Sequence, residues 1–350
     1  MAWYNSSWLN RKKITISSSK VYADQTDFPI LIEITNDSDL HSDPLASGND
    51  ILFTSSNGTT KLSHEIDYFT KGATQGDQKL YAHVKIPSLS SSSNTEIYIY
   101  YNNSGASDQQ NITGTWSSEY VAVFHCNEAS GALQDSTSNS NNSNSPSQSP
   151  NYQNDSLTCY HSSCDFVPDD FIDWDNPIRN FENSQPVTFF VVAKHDSISN
   201  DDYLFSNGGQ SRYSQGAAIH IDSGGDYHTQ VRRRTGEDRL KELTGPSDDT
   251  SLHILSIRWN GADAGTVTFQ DGTDTYSGTI GSTTLDTETY ENMKLGGPNT
   301  DTSYGWDGKI DEFRVLNTSD SGHTTTNALK TTYEFWNDPD GCITLGTEES

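Results

Sequence analysis

Residues 304–316, YGWDGKIDEFRVL, limit the possible folds more than any other stretch. Gly305 and Gly308 mark a turn that opens into a strand-like run. Along a strand, successive side chains point to opposite faces. Ile310, Glu312 and Arg314 are thereby expected on one face, and Asp311, Phe313 and Val315 on the other. An acid that shares a row with Phe313 and Val315 enters the interior. A carboxylate there must be paired, hydrogen-bonded or metal-bound. The run predicts a β-sandwich strand with Asp311 as a fixed polar point inside it.

The rest of the chain agrees with β structure. Only 31% of its 350 residues are apolar, and Asn, Ser, Thr, Asp and Gly fill the deficit. That balance favours strands joined by long polar loops over packed helices. A helix longer than two turns is expected chiefly at 324–335. The net charge of -27 repels nucleic acid and anionic membranes, so neither is an expected partner. No run of eighteen apolar residues exists to span a bilayer, and no apolar leader region follows Met1.

Residues 1–105 predict one compact all-β domain. Arg11-Lys12-Lys13-Ile14-Thr15-Ile16 alternates as a half-buried strand, and Phe28-Pro29-Ile30-Leu31-Ile32-Glu33-Ile34 reads as a more buried one. Further strands follow at 50–54, 61–69, 80–87 and 96–101, between polar turns. Residues 106–115 read as a polar linker. The second domain, 116–350, begins with the strand at 120–128. A polar, disordered-looking insert follows at 135–155. Pro186-Val187-Thr188-Phe189-Phe190-Val191-Val192-Ala193 predicts a central strand buried on both faces. Short strands at regular spacing after it predict a second two-sheet sandwich.

Two resemblances sharpen this division. Trp8 with Arg11-Lys12-Lys13-Ile14, Thr26-Asp27-Phe28-Pro29, Asn49-Asp50-Ile51-Leu52-Phe53-Thr54, Lys61-Leu62-Ser63-His64-Glu65-Ile66 and Ile97-Tyr98-Ile99-Tyr100-Tyr101-Asn102-Asn103 resemble an uncharacterised domain family. That family commonly precedes a concanavalin-like domain in archaeal and bacterial surface proteins. The stretch GKIDEFRVLN and the tail ALKTTYEFWNDPDGCITLGTEES resemble the end of laminin-G-like, concanavalin-like jelly rolls. The resemblance implies an N-terminal β-sandwich followed by a jelly-roll sandwich. It also implies a structural calcium ion near Glu128, Asp135 and Asp311; alternatively, Asp311 caps backbone amides. In such a fold the terminal strands pair, which would bring Cys126 within disulfide range of Cys342. Cys159 and Cys164 could then staple the hairpin beside the insert, and four buried free thiols are the alternative.

Catalytic constellations are sparse. His64-Glu65-Ile66-Asp67 suggests the carboxylate-bearing strand of a glycosidase, but Phe69 replaces a third acid, so a structural role is expected. Asp311 and Glu312 are adjacent, point to opposite faces and cannot form a catalytic pair within one strand. Sugar binding needs aromatic faces beside polar groups. The candidates are Tyr203, Tyr213, Tyr227, Tyr304 and Trp306, with Arg232, Arg233 and Arg234 as the one basic run. That run suits carboxylate recognition or, alternatively, an outer strand face paired with nearby acids.

The expectation is a non-catalytic, surface-exposed binding or adhesion protein whose partner is a glycan or cell-surface receptor. A virion component (tail fibre, spike or capsid decoration) is the leading form, homo-oligomeric and in contact with other structural subunits. A secreted or cell-surface lectin-like protein and a polysaccharide-degrading hydrolase are the alternatives.

Overall fold

A computed structural model of the protein describes residues 2–146, 149–152, 163–175, 178–179, 185–197, 202–207, 216–232, 239–262, 265–280, 292–298 and 304–350. The chain is nearly all β, and every named strand pair is antiparallel. It divides into two compact units, Met1–Ser117 with Asn327–Ser350, and Ser118–Thr326.

The first unit contains β1 (Asn10–Ile16), β2 (Gln25–Thr35), β3 (Leu52–Ser55), β4 (His64–Thr70), β5 (Lys79–Leu89) and β6 (Thr95–Tyr101). A four-stranded sheet, in which the last strand of the chain joins β1, β6 and β3, accompanies a three-stranded sheet ordered β2–β5–β4. Ile14, Phe53, Ile97 and Ile99 from the first sheet and Ile30, Ile32, Leu80 and Val84 from the second are all buried. The alternation read in β1 holds for its isoleucines, but two of its cations, Arg11 and Lys12, are buried. The Arg11 guanidinium lies 4.5 Å from the Trp3 ring centre and 4.4 Å from that of Tyr98. It donates to Tyr100 Oη at 2.8 Å and to Glu349 Oε2 at 2.6 Å. Lys12 pairs with Asp37 and Asp39.

The second unit contains β7 (Tyr120–Phe124), β8 (Cys164–Phe166), β9 (Ile172–Trp174), β10 (Val187–His195), β11 (Tyr203–Asn207), β12 (Gly216–Ile221), β13 (Asp226–Arg232), β14 (Arg239–Ser247), β15 (Leu252–Trp259), β16 (Thr266–Asp271), β17 (Asp274–Thr279), β18 (Met293–Leu295) and β19 (Gly308–Leu316). One sheet is ordered β17–β16–β15–β10–β19–β7, with β8 also paired to β19; the other is ordered β14–β13–β12–β11–β18–β9. As its apolar run predicts, β10 is central and buried on both faces. Phe124, Phe189 and Phe313 from one sheet meet Trp174 and Phe205 from the other in a single core, with Phe189 and Phe205 ring centres 4.6 Å apart.

Four features depart from the expected layout. The C-terminal segment returns to the first unit, where β20 (Ile343–Leu345) pairs with β1 at Ile14↔Leu345 and Ile16↔Ile343. The open edge of β1 offers unpaired backbone groups, and this segment satisfies them. Cys342 therefore belongs to the first unit and Cys126 to the second; both are free thiols, not the expected disulfide. Cys164 is also free, whereas Cys159 lies outside the described residues. The linker is docked on β4: Gln110 Oε1 accepts from Ile66 N at 2.6 Å, and Asn111 N donates to His64 O at 3.0 Å.

The fourth departure concerns Asp311. Val192 pairs with Glu312 and Ala193 with Ile310, so Asp311 is the extra residue of a β-bulge. A bulge breaks the two-residue period. Ile310, not Asp311, therefore joins Phe313 and Val315 in the core. Gly308 begins β19 because a Cβ there would lie 2.3 Å from the Lys194 carbonyl oxygen of β10.

Arg11 joins the closing strand to an aromatic cluster. Arg11→Ala removes both the charge-assisted bonds and the cation–π contacts, at an expected cost of about 2–3 kcal/mol. Urea unfolding read by tryptophan fluorescence checks this, and an unchanged midpoint would show that Arg11 does not hold the edge.

Candidate functional site

The segment expected to be disordered contains a built loop. Asp135 organises it by accepting from Val123 N (3.0 Å), Thr137 N (2.9 Å), Thr137 Oγ1 (2.9 Å) and Asn141 N (2.8 Å). Asn139 and Asn141 side-chain amides both donate to the Val121 carbonyl, at 2.9 and 2.8 Å. The loop thus satisfies the outer edge of β7, the terminal strand of its sheet. Short polar side chains that bond to nearby backbone are suited to this task.

The loop then meets β9. Asn144 N donates to Asp173 O at 2.8 Å, and its side-chain amide donates to Asp173 Oδ1 (3.3 Å) and Asp175 Oδ1 (2.9 Å). Trp174 points the other way, with its ring 5.1 Å from Phe124 and its Nε1 donating to Asn141 O at 3.0 Å. Between loop and strand lies an open groove of about 350 Å³, lined by Ser140, Asn141, Asn142, Asn144 and Asp175 beside Trp174 and Ile178. Side-chain amides donate and accept, and carboxylates accept. A sugar hydroxyl also does both, so the lining suits a polyhydroxylated ligand.

A second polar cluster lies deeper in the same unit. His195 is fully buried, with Nδ1 2.7 Å from Asp248 Oδ2 and Nε2 3.0 Å from Asp202 Oδ2. Its ring centre lies 4.6 Å from that of Trp306. Burial opposes the positive charge, but the bonds to Asp202 and Asp248 outweigh it and raise the pKa to about 9. His253 lies nearby with Nδ1 2.8 Å from Asp271 and Nε2 3.2 Å from Asp249; burial again opposes the charge, Asp271 outweighs it, and the pKa is raised. Asp248, Asp249 and His253 could offer a metal three ligand atoms within 4.8 Å of one another. With His253 protonated, the imidazolium itself balances these carboxylates.

Among the described residues, the expected binding residues do not form an open site. Tyr203, Tyr227 and Trp306 are interior, at 5%, 0% and 0% exposure, and cannot present a ring face to a sugar. Tyr203 Oη accepts from Gln230 at 2.8 Å, and the Tyr227 ring centre is 4.7 Å from that of His253. Tyr203 and Tyr227 can pack as core because their hydroxyls find buried partners in Gln230 and Asp248. Tyr304 is half-buried. Arg232 ends β13, and Tyr213, Arg233 and Arg234 lie outside the described residues. Glu128, Asp135 and Asp311 do not converge as metal ligands: Glu128 accepts from Gln134 N at 2.6 Å, Asp135 serves the loop, and Asp311 occupies the bulge. Burial raises the Glu128 pKa. Glu65 accepts from Trp116 Nε1 at 2.7 Å, the structural role expected for it.

The groove was missed because 135–155 was read by composition. The run of short polar side chains Asp135, Thr137, Asn139 and Asn141 was the available signal, since such side chains bond to nearby backbone and build turns.

The family model described as a domain of unknown function (DUF2341) matches residues 47–141. The matched stretch begins in the first unit and ends at the groove residue Asn141 in the second. No curated protein matches the sequence. Among solved structures, the Ruminococcus gnavus IT-sialidase CBM40 bound to alpha2,6 sialyllactose aligns with a TM-score of 0.36 and 15% identity, over 42% of this chain and 84% of that one. The binding domain of Paraclostridial Mosquitocidal Protein 1 aligns with a TM-score of 0.49 and 10% identity, over 63% of this chain and 53% of that one. The binding domain of Botulinum Neurotoxin DC in complex with SialylT gives 0.46 and 8%, over 63% and 52%.

The His195 cluster makes the second unit sensitive to pH. A histidine in an unfolded chain titrates near 6.5, whereas His195 titrates at about 9. Its stabilising contribution is complete below about pH 6.5 and is lost as pH rises through 9, at a cost of roughly 3 kcal/mol. Urea midpoints at pH 6 and pH 9.5 are expected to differ accordingly, and His195→Gln to flatten that difference. An equal slope in the variant would assign the pH dependence to other groups.

Proposed function

We propose that this protein is a non-catalytic glycan-binding protein whose second unit holds a neutral sugar in the groove between the Asp135-organised loop and β9. The observation that carries this reading is the lining itself, in which Asn141, Asn142, Asn144 and Asp175 surround an open concavity beside Trp174. A chain of net charge -27 with Asp173 and Asp175 at this site disfavours anionic sugars. Neutral hydroxyls can instead donate to the carboxylates and exchange bonds with the amides.

Asp173 and Asp175 also bear on the hydrolase alternative. Asp173 lies in β9 and Asp175 just past its end, and both accept from one Asn144 amide. A retaining glycosidase needs the sugar linkage between carboxyl groups about 5 Å apart. Here a protein amide occupies that space, so the pair orients Asn144 instead of flanking a scissile bond.

The sequence reading adds an exposed location, on a virion or a cell surface, for such a binder. Labelled antibody on the native source is expected to mark that surface; label confined to the cell interior would overturn the placement.

A neutral-glycan array followed by calorimetry tests the site. Asn144→Ala and Asp175→Ala are each expected to weaken binding roughly tenfold, about 1.4 kcal/mol, with the fold unchanged by circular dichroism. Binding that survives both variants, or that appears only with acidic glycans, would overturn the assignment.

A further inference from the structure

Cys126 and Cys164 were expected to pair with other cysteines, and the fold brings them to each other. Both β7 and β8 pair with β19: Phe124 stands opposite Phe313, and Cys164 opposite Ile310. Continuing the β7 ladder by two residues places Cys126 opposite Asp311, beside the partner of Ile310. The end of β7 and the start of β8 therefore meet along one side of β19. Cys126 has a φ of 51°, in the left-handed region that few non-glycine residues enter. The chain turns out of β7 there while the side chain stays in the core. Both cysteines are 0% exposed and belong to the same buried cluster. The Cys164 thiol beside it, together with burial, raises the Cys126 pKa well above the usual thiol value.

We propose that Cys126 and Cys164 form a disulfide when the chain folds in the presence of a disulfide donor, and that this bond closes the loop carrying the groove. Ser140, Asn141, Asn142 and Asn144 all lie between the two cysteines in sequence. The crosslink fixes both ends of that segment on β19, so it acts as a covalent latch on the groove.

The chemistry is thiol–disulfide exchange. One cysteine thiolate attacks a sulfur of the donor, such as oxidised glutathione, and one donor thiolate leaves. The second cysteine thiolate then attacks the protein sulfur of that mixed disulfide and expels the other half. The donor is reduced to two thiols, and the two cysteine protons are taken up by the departing thiolates. Burial and the raised Cys126 pKa make the finished thiols inert, so exchange belongs to the folding chain before the core closes.

The test is to refold the full chain with oxidised and reduced glutathione, block free thiols with iodoacetamide in denaturant, and map peptides without reduction. The expected result is one linked pair, Cys126 with Cys164, and alkylated Cys159 and Cys342. Four alkylated cysteines, or Cys164 joined to Cys159, would overturn the proposal. As a second reading, Cys126→Ser and Cys164→Ser are each expected to lower the melting midpoint of the oxidised protein by roughly 10 °C for a loop of this length. The double variant should lose no more than either single one, because the bond is shared. Equal losses in reduced and oxidised protein would indicate packing alone and count against the latch. Weaker glycan binding after reduction is expected only if the groove is the glycan site; peptide mapping decides the disulfide independently of that reading.

Discussion

The structure depends on how an acidic chain buries carboxylates. With 48 Asp and Glu residues against 21 Lys and Arg, there are too few cations to neutralise them pairwise. A carboxylate taken out of water must still find donors. The second unit meets this need in three ways. Asp135 uses backbone amides and a hydroxyl, so its charge becomes the centre of a loop. Asp202 and Asp248 hold a proton on His195 that would otherwise leave near neutral pH. Glu312 takes both His125 and Arg314, at 2.6 and 2.5 Å, on the strand that links β10 to β7. Each arrangement supplies charge-assisted bonds, the stronger class of hydrogen bond.

The same constraint governs the scarce cations. Arg258 is fully buried, yet it donates to Asp320, the Thr324 carbonyl, Gln270 and Thr326. It therefore fixes the stretch after β19 to β15 and β16. Arg11 acts similarly in the first unit, where aromatic faces replace most of the lost hydration. In both places a guanidinium serves because its planar fork reaches several acceptors at once.

Local periodicity made much of the β structure legible. The apolar run in β10 and the alternation in β1 each reported burial directly, because a strand has a fixed two-residue period. The bulge at Asp311 was invisible because an inserted residue changes pairing without changing composition. The return of residues 343–345 to β1 was equally hidden: an edge strand needs backbone partners, and any short extended segment can supply them. Tyr203, Tyr227 and Trp306 looked like binding aromatics, yet their partners Gln230, Asp248 and His195 lie far away in sequence. The groove failed to show for the opposite reason. Its residues are those that mark disorder when counted, and they become structure only through the positions of Asp135 and Asn144.

That last point bears on the sugar site proposed for this loop. Amides free to rotate would each lose conformational entropy on binding, which removes much of the value of a new hydrogen bond. Here Asn139 and Asn141 are spent on the Val121 carbonyl, and Asn144 is held by two carboxylates. The groove residues are thus fixed by a shell of bonds that a ligand need not supply. Trp174 contributes from beneath: its indole locks Asn141 through Nε1 while its ring belongs to the core. The sandwich acts as the rigid support, and the asparagine-rich loop becomes a surface ordered before any ligand arrives.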